Sequence, residues 1–304
     1  MDALAWSEKL RPHVAAASPG FAEEIDGLAE GAGIMPSAAM LLQVRQEVVN
    51  LVRLGGGDPA CTTFAVSGLY TAGGETIAGQ NADLPGGIED CTAVLTIAVV
   101  GKPAVLMLVP AGQISYIGIN SEGLSANANC LRSTGWRAGY PRYLLTRLAL
   151  EQASLKAAVD AVLKPRRASS RNLLLADANG GMVDIETTAD AHALQWGEGC
   201  LTHSNHHVLP GMAQFEASVA AELENSGKRF VQIMALVEAQ RGELDVPRLE
   251  TILRDHGNAP DSICAHPGDR EVYTRLAGRV PADGRLHIAV GPPCRHAYAT
   301  YQVR

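Results

Sequence analysis

The stretch GGGDPACTTFAVSG, residues 55–68, joins two textures of sequence. Gly55 to Pro59 read as an exposed connection, because glycine runs and Asp-Pro interrupt regular structure. Cys61 then enters a β-branched and apolar run, Thr62 to Val66, that reads as a buried strand. Two readings of Cys61 stand side by side. One is a small buried hydrophobe at a strand start; the other is a nucleophile at a place where the chain is meant to be cut. A thiol needs a base, since its ordinary pKa of about 8.5 leaves little thiolate at neutrality. No Cys-His signature of the papain kind accompanies it. Scission before Cys61 would supply a base of pKa about 7.7–8.0, the new α-amine, on the same residue.

Working outward, residues 1 to about 52 read as helical, with apolar positions every three or four residues and Pro36-Ser37 as a start signal. Beyond Cys61 the texture becomes strand pairs. CTTFAVSGLY and ETIAGQNADL flank Ala72-Gly73-Gly74, and TAVLTIAVV and AVLMLVP flank Gly101-Lys102-Pro103. ISYIGIN and GLSANANC surround Ser121-Glu122-Gly123, and NLLLADANGGMVDIET turns at Asn179-Gly180-Gly181. Pro141 to Leu163 predicts one or two helices, the second capped by Ser154. GKRFVQIMALVEAQRG carries a helical stripe that stops at Gly242, and Asp245-Val246-Pro247 opens another helix. EVYTRLAGRVPADGRLHIAVG is a last hairpin, through Ala282-Asp283-Gly284. Paired strands with helices in blocks predict an α+β fold, two stacked and mostly antiparallel sheets with helices outside them. The strands are largely continuous apolar runs, which predicts both faces covered.

The 304 residues are long enough for a substantial core, and a net charge of −7 with interspersed signs argues against a nucleic-acid surface. No apolar run approaches the 18–20 or so residues of a membrane span. The first 30 residues lack a signal-peptide core, so a soluble cytoplasmic protein is expected. The six cysteines are scattered without a CxxC and read as reduced thiols.

Two further segments concentrate reactive side chains. CLTHSNHHVLPG, residues 200–211, offers a metal reading through Cys200, His203, His206 and His207, with Cys264 and His266 as distant additions. It also offers an acyl-transfer reading, in which the Asn205 amide stabilises an oxyanion, and a third reading as a polar strand end or loop. LRDHGNAPDSICAHPG places Asp255-His256 near Cys264 and His266, as a catalytic, metal-binding or structural loop.

Together these segments resemble the cysteine N-terminal nucleophile hydrolases of the acyl-coenzyme A:6-aminopenicillanic acid acyltransferase type. The resemblance runs from about residue 60 to 291. CTTFAVSG…GQNADL is similar to the nucleophile strand and following hairpin, and GINSEGLSANAN to the G-x-N-x-x-G-L strand. GYPRYLLTRLALEQAS and RNLLLADANGGMVDIET follow in order, then LTHSNHHVLP and LRDHGNAPDSIC. The resemblance implies a four-layer αββα sandwich and self-cleavage between Ala60 and Cys61. A helical piece, residues 1–60, would stay bound to a catalytic piece, residues 61–304. It implies Cys61 as nucleophile, Asp83 as the acidic group near its amine and Asn205 as the oxyanion amide. Thr62, Thr63, Tyr116 and His206 are candidate substrate-binding residues. The activity implied is cleavage of a linear, small-molecule amide through a Cys61 thioester. Acyl transfer to a small amine is the alternative, and a silent or zinc-binding relative a further one. No cofactor or metal is expected, no nucleic-acid or membrane partner, and a homo-oligomer is left open. Two positions depart from the pattern: Ala60 stands where relatives often have glycine, and Ala265 where they often have arginine. Arg142 and Arg270 are candidate replacements for that arginine.

Overall fold

The computed structural model describes residues 2–52, 60–266, 273–281 and 283–303. Its N-terminal part is four helices: α1 (Ala3–Glu8), α2 (Arg11–Ala17), α3 (Pro19–Ala32) and α4 (Pro36–Val52). Then come β1 (Ala60–Val66), β2 (Ile77–Leu84), β3 (Thr92–Ile97), β4 (Val105–Pro110), β5 (Ile117–Asn120) and β6 (Leu124–Asn129). α5 (Arg142–Leu150) and α6 (Leu155–Leu163) precede β7 (Arg171–Asp177), β8 (Met182–Thr187), β9 (His192–Gly197) and β10 (Cys200–His203). α7 (Ala220–Glu238), α8 (Val246–Leu253), β11 (Tyr273–Pro281), β12 (Arg285–Val290) and β13 (Ala299–Gln302) complete the described chain.

The strands form two antiparallel sheets. One is six-stranded in the order β10-β1-β2-β11-β12-β13; the other runs β3 to β9 as a seven-stranded meander. β1 and β10 of the first face β6, β7 and β8 of the second. Helices α7 and α8 cover the outer face of the six-stranded sheet, and α5, α6 and the N-terminal helices cover the other. The expected four-layer αββα arrangement is the one observed.

The alternation of side chains in β1 and β2 fixes what each can reach. Ala65 and Ala78 pack between the sheets, whereas Phe64, Val66 and Ile77 pack under α7 and α8. Cys61, Thr63, Gln80, Ala82 and Leu84 therefore share the inner face. Thr62, Asn81 and Asp83 share the outer one.

Most boundaries match the expectations. Ser154 caps α6 by accepting from the Ala157 amide, Asp245 caps α8 from the Arg248 amide, and Gly242, at φ +81°, follows α7. Two short strands, β9 and β13, are not marked in the sequence, and β10 realises the strand-end reading of the Cys200 segment. β9 and β13 lie at sheet edges with mostly exposed residues, so their sequences lack the apolar run that marked the others. α7 also begins earlier than its apolar stripe, in the polar run AAELENS. The expected Gly55–Pro59 connection lies outside the described residues.

Candidate active site

Cys61 opens the inner face of β1 and is 2% exposed. Burial first, and the negative charge of Asp83 second, push its thiol up to about 12, while Arg171 and Arg229 pull the other way. In the continuous chain this sulfur holds its proton at neutral pH. Its backbone nitrogen, the atom a cut before Cys61 would turn into an amine, donates to Asn205 Oδ1 at 2.7 Å.

Asn205 follows β10, which pairs with β1, so strand pairing brings the two residues together across 144 positions of sequence. Its Oδ1 also accepts from Arg229 Nη2 at 2.9 Å, and its Nδ2 donates to the Cys130 carbonyl at 3.0 Å. Two donors on one end and a carbonyl on the other fix the orientation of the amide. Oδ1 serves the Cys61 nitrogen, and one of the two Nδ2 hydrogens is committed to Cys130. In the structure the Asn205 amide oxygen holds the Cys61 backbone nitrogen, alongside the oxyanion role expected of its Nδ2.

Arg229 is the residue the sequence reasoning missed. It reaches from α7 onto the outer face of β1, 1% exposed, with Nη1 donating to the Cys61 carbonyl at 2.5 Å and to Thr62 Oγ1 at 2.8 Å. Asn225 Oδ1 accepts from its Nε at 3.0 Å. GKRFVQ reads as two surface charges beside an apolar stripe. Yet the buried positions of α7 are Ser226, Arg229, Ile233 and Val237, so Arg229 lies on the stripe itself, and that spacing was the available signal.

Asp83 sits directly opposite Ala60 in the β1–β2 register and is 1% exposed. It shares the face of Ala60 rather than that of the Cys61 thiol. That places a buried acid beside the peptide bond expected to break, within electrostatic reach of the sulfur.

The other expected residues divide. Tyr116 is buried within electrostatic reach of Cys61 and 6.0 Å, ring to ring, from Tyr143; burial first, then Cys61, holds its phenol well above its ordinary value. Arg171 lies over the Tyr143 ring at 4.9 Å, and its buried Nε and Nη2 have no hydrogen-bond acceptor among the described residues. Thr63 shares the face of Cys61 but is held by Asn129, whose Nδ2 donates to its Oγ1 at 2.9 Å. Thr62 is corrected: it lies on the opposite face of β1 from the thiol, bonded to Arg229, because successive strand residues alternate. His206 is likewise held elsewhere, 2.7 Å from Ser226 Oγ and edge-on to Phe230 on α7, with burial lowering its pKa. Arg142 is fully buried, donating to Cys130 Sγ and the Ser170 carbonyl and stacked over Trp136 and Tyr143. Ala265 is buried, and Arg270 lies outside the described residues.

The histidine-rich segment is tied to one buried carboxylate. His203 Nε2 and His207 Nδ1 both meet Glu186, at 2.9 and 3.0 Å, and the Val208 and Leu209 amides donate to the same carboxylate. Burial alone would raise Glu186, but the bonds from His203 and His207 outweigh it and hold its carboxyl at about 2. These histidines buttress the turn that carries Asn205. Among the described residues, the donor cluster that could hold a metal instead joins His256, Cys264, His266 and Cys294. No described helix is long and apolar enough to cross a membrane.

Comparison with known proteins gives concordant findings. The family model described as acyl-coenzyme A:6-aminopenicillanic acid acyl-transferase matches residues 71–276, a span that holds Asp83, Asn205 and Arg229. The chain is 29% identical over 251 residues to the 40 kDa form of acyl-coenzyme A:6-aminopenicillanic-acid-acyltransferase from Emericella nidulans, covering 81% of this chain and 67% of the relative. Among solved structures it is similar to a conjugated bile acid hydrolase from Clostridium perfringens, with TM-score 0.56 and 12% identity over 80% of this chain and 97% of the other. It is similar also to a Caenorhabditis elegans orthologue of N-acylethanolamine-hydrolyzing acid amidase, with TM-score 0.53 and 16% identity over 72% and 92%. At such identities the structural likeness speaks for the fold.

Proposed function

The chain belongs to the acyl-coenzyme A:6-aminopenicillanic acid acyl-transferase family, and from that premise we propose that it is a self-processing cysteine amidohydrolase acting on linear amides. The observation that carries the proposal is the 2.7 Å bond from the Cys61 nitrogen to Asn205 Oδ1, beneath the Arg229 guanidinium. An amide oxygen held there keeps a peptide nitrogen in place before cleavage and accepts from an amine afterwards.

In the first reaction the Cys61 sulfur adds to the Ala60 carbonyl and the acyl group moves from nitrogen to sulfur. Water opens that ester, leaving a carboxylate on Ala60 and a free amine on Cys61. In turnover the amine takes the thiol proton and the thiolate attacks the substrate carbonyl. The Nδ2 hydrogen of Asn205 not committed to Cys130 would serve the oxyanion, a contact of the kind worth about 3–4 kcal/mol. The amine hands its proton to the leaving nitrogen, the C–N bond breaks, and water hydrolyses the thioester. Asp83, opposite Ala60, supports the positive charge that the amine carries between the two transfers. Tyr116, buried within electrostatic reach of Cys61, is the substrate-binding residue of this reading. The name of the Emericella relative supports a second outcome, capture of the thioester by a small amine instead of water.

The test is mass spectrometry of protein quenched during turnover of an N-acyl amide. An acyl adduct on the Cys61 peptide is expected. Full activity in Cys61→Ala, or an adduct confined to another residue, would overturn the proposal.

A further inference from the structure

His256, Cys264, His266 and Cys294 arrive from two separate connections, the loop after α8 and the link between β12 and β13. Their four donor atoms all lie within 4.8 Å of one another. We propose that this cluster is a structural zinc site that clips those two connections together.

The distances are those of a coordination shell. A tetrahedral zinc, with Zn–S of about 2.3 Å and Zn–N of about 2.0–2.1 Å, sets its donors about 3.8 Å apart for two sulfurs, about 3.6 Å for sulfur and nitrogen, and about 3.3 Å for two nitrogens. Here Cys264 Sγ and Cys294 Sγ are 3.7 Å apart, and Cys294 Sγ lies 3.4 Å from His266 Nε2. His256 Nε2 and His266 Nε2 are 2.8 Å apart, so the ion would spread the two nitrogens by about half an ångström. Each pair taken singly also fits a hydrogen bond; it is the convergence of all four donor atoms within 4.8 Å of one another that fits a shared ion. Two thiolates and two imidazoles are the donor set of zinc rather than magnesium or calcium, which take oxygen ligands. Two thiolates also neutralise the ion, so no further counter-charge is required.

Residues behind the ligands hold them in place. Arg254 Nε donates to the Pro293 carbonyl at 3.0 Å, bridging the same two connections beside the cluster. The Cys264 amide donates to the Asp255 carbonyl at 2.9 Å. Asn81 Nδ2 donates to the Leu253 and Ile263 carbonyls at 2.8 and 3.0 Å, tying the loop to β2 two residues from Asp83. With four protein donors the site is closed, so the ion would act by fixing the loop, not by activating water.

The full-length chain, expressed with zinc in the medium and purified without chelator or metal-affinity resin, would be measured for metal and protein together. About one zinc per chain is expected, falling to background in His266→Ala and in Cys294→Ser but unchanged in Cys200→Ser. The metal-stripped wild-type protein titrated with cobalt(II) is expected to show the intense visible bands of tetrahedral cobalt thiolate. Metal content equal in wild type and Cys294→Ser would overturn the proposal. So would a Cys264–Cys294 disulfide in zinc-supplied protein, or a pale octahedral cobalt spectrum.

Discussion

At Cys61 the physical problem is a thiol that its own burial keeps protonated, with two buried cations working against that burial. Arg171 acts on the sulfur through charge alone, whereas Arg229 also holds the Cys61 carbonyl and the Asn205 amide. The two should therefore fail differently. Arg171→Met removes a cation that stabilises thiolate, so alkylation of Cys61 is expected to shift to higher pH and kcat/KM to fall roughly tenfold per pKa unit. Iodoacetamide rates across pH check this, and an unmoved profile would contradict it. Arg229→Met should slow self-cleavage by about 10² to 10³, the scale for losing one preorganised donor, with Arg229→Lys only partly restoring it because an ammonium lacks the two-pronged fork. Time-resolved gels of newly made protein would read that loss. Cys61 stood out in the sequence because a cysteine directly follows a glycine linker, whereas Asn205, among its histidines, stayed open by residue type and drew its role from the family resemblance alone. Arg229 did not stand out, because its partners come from elements distant in sequence.

At the scale of elements, α4 and β8 anchor the segments around the site through buried polar side chains. α4 is bound through Gln43, which donates to the Gly112 carbonyl and accepts from the Ile114 amide, and through Glu47, which accepts from the Arg142 amide and Ser169. Met40 of α4 is fully buried in the core shared with the seven-stranded sheet, and Met40→Ala should cost about 2–5 kcal/mol in denaturant unfolding. On β8, Glu186 lies at about 2 against its ordinary 4.5, so its extra stabilisation is present above pH 4.5 and lost as pH falls toward 2. Its neighbour Asp184 has the opposite sign. Burial raises it to about 6, so its contribution is full below its ordinary 3.8 and lost as pH rises through 6. Glu186→Gln is expected to lose about 2–3 kcal/mol at neutral pH and to flatten the acid arm of the Tm–pH curve. An unchanged acid arm would contradict the assignment. The histidines were ambiguous in the sequence for this reason: a strand residue 17 and 21 positions upstream of them supplies their partner.

For the molecule as a whole, the first helices are not an appendage. Leu10, Val14, Phe21, Ile25 and Val44 join one core with Cys61 and the strands of the seven-stranded sheet. Residues 1–60 are accordingly expected to remain with residues 61–304 after cleavage, co-eluting on gel filtration at neutral pH and separating only in denaturant. Most of this architecture was readable beforehand, because paired apolar runs around Gly-containing turns leave little freedom in a meander. The edge strands and the convergence of His256, Cys264, His266 and Cys294 were not, since the first lack an apolar pattern and the second depends on how separate connections meet.

The catalytic amine exists only if the backbone opens before Cys61. Intact-mass analysis of active wild-type protein should find two polypeptides, residues 1–60 and 61–304, the second beginning with cysteine, and one uncut mass in Cys61→Ala. A single mass for the whole chain in fully active enzyme would contradict it.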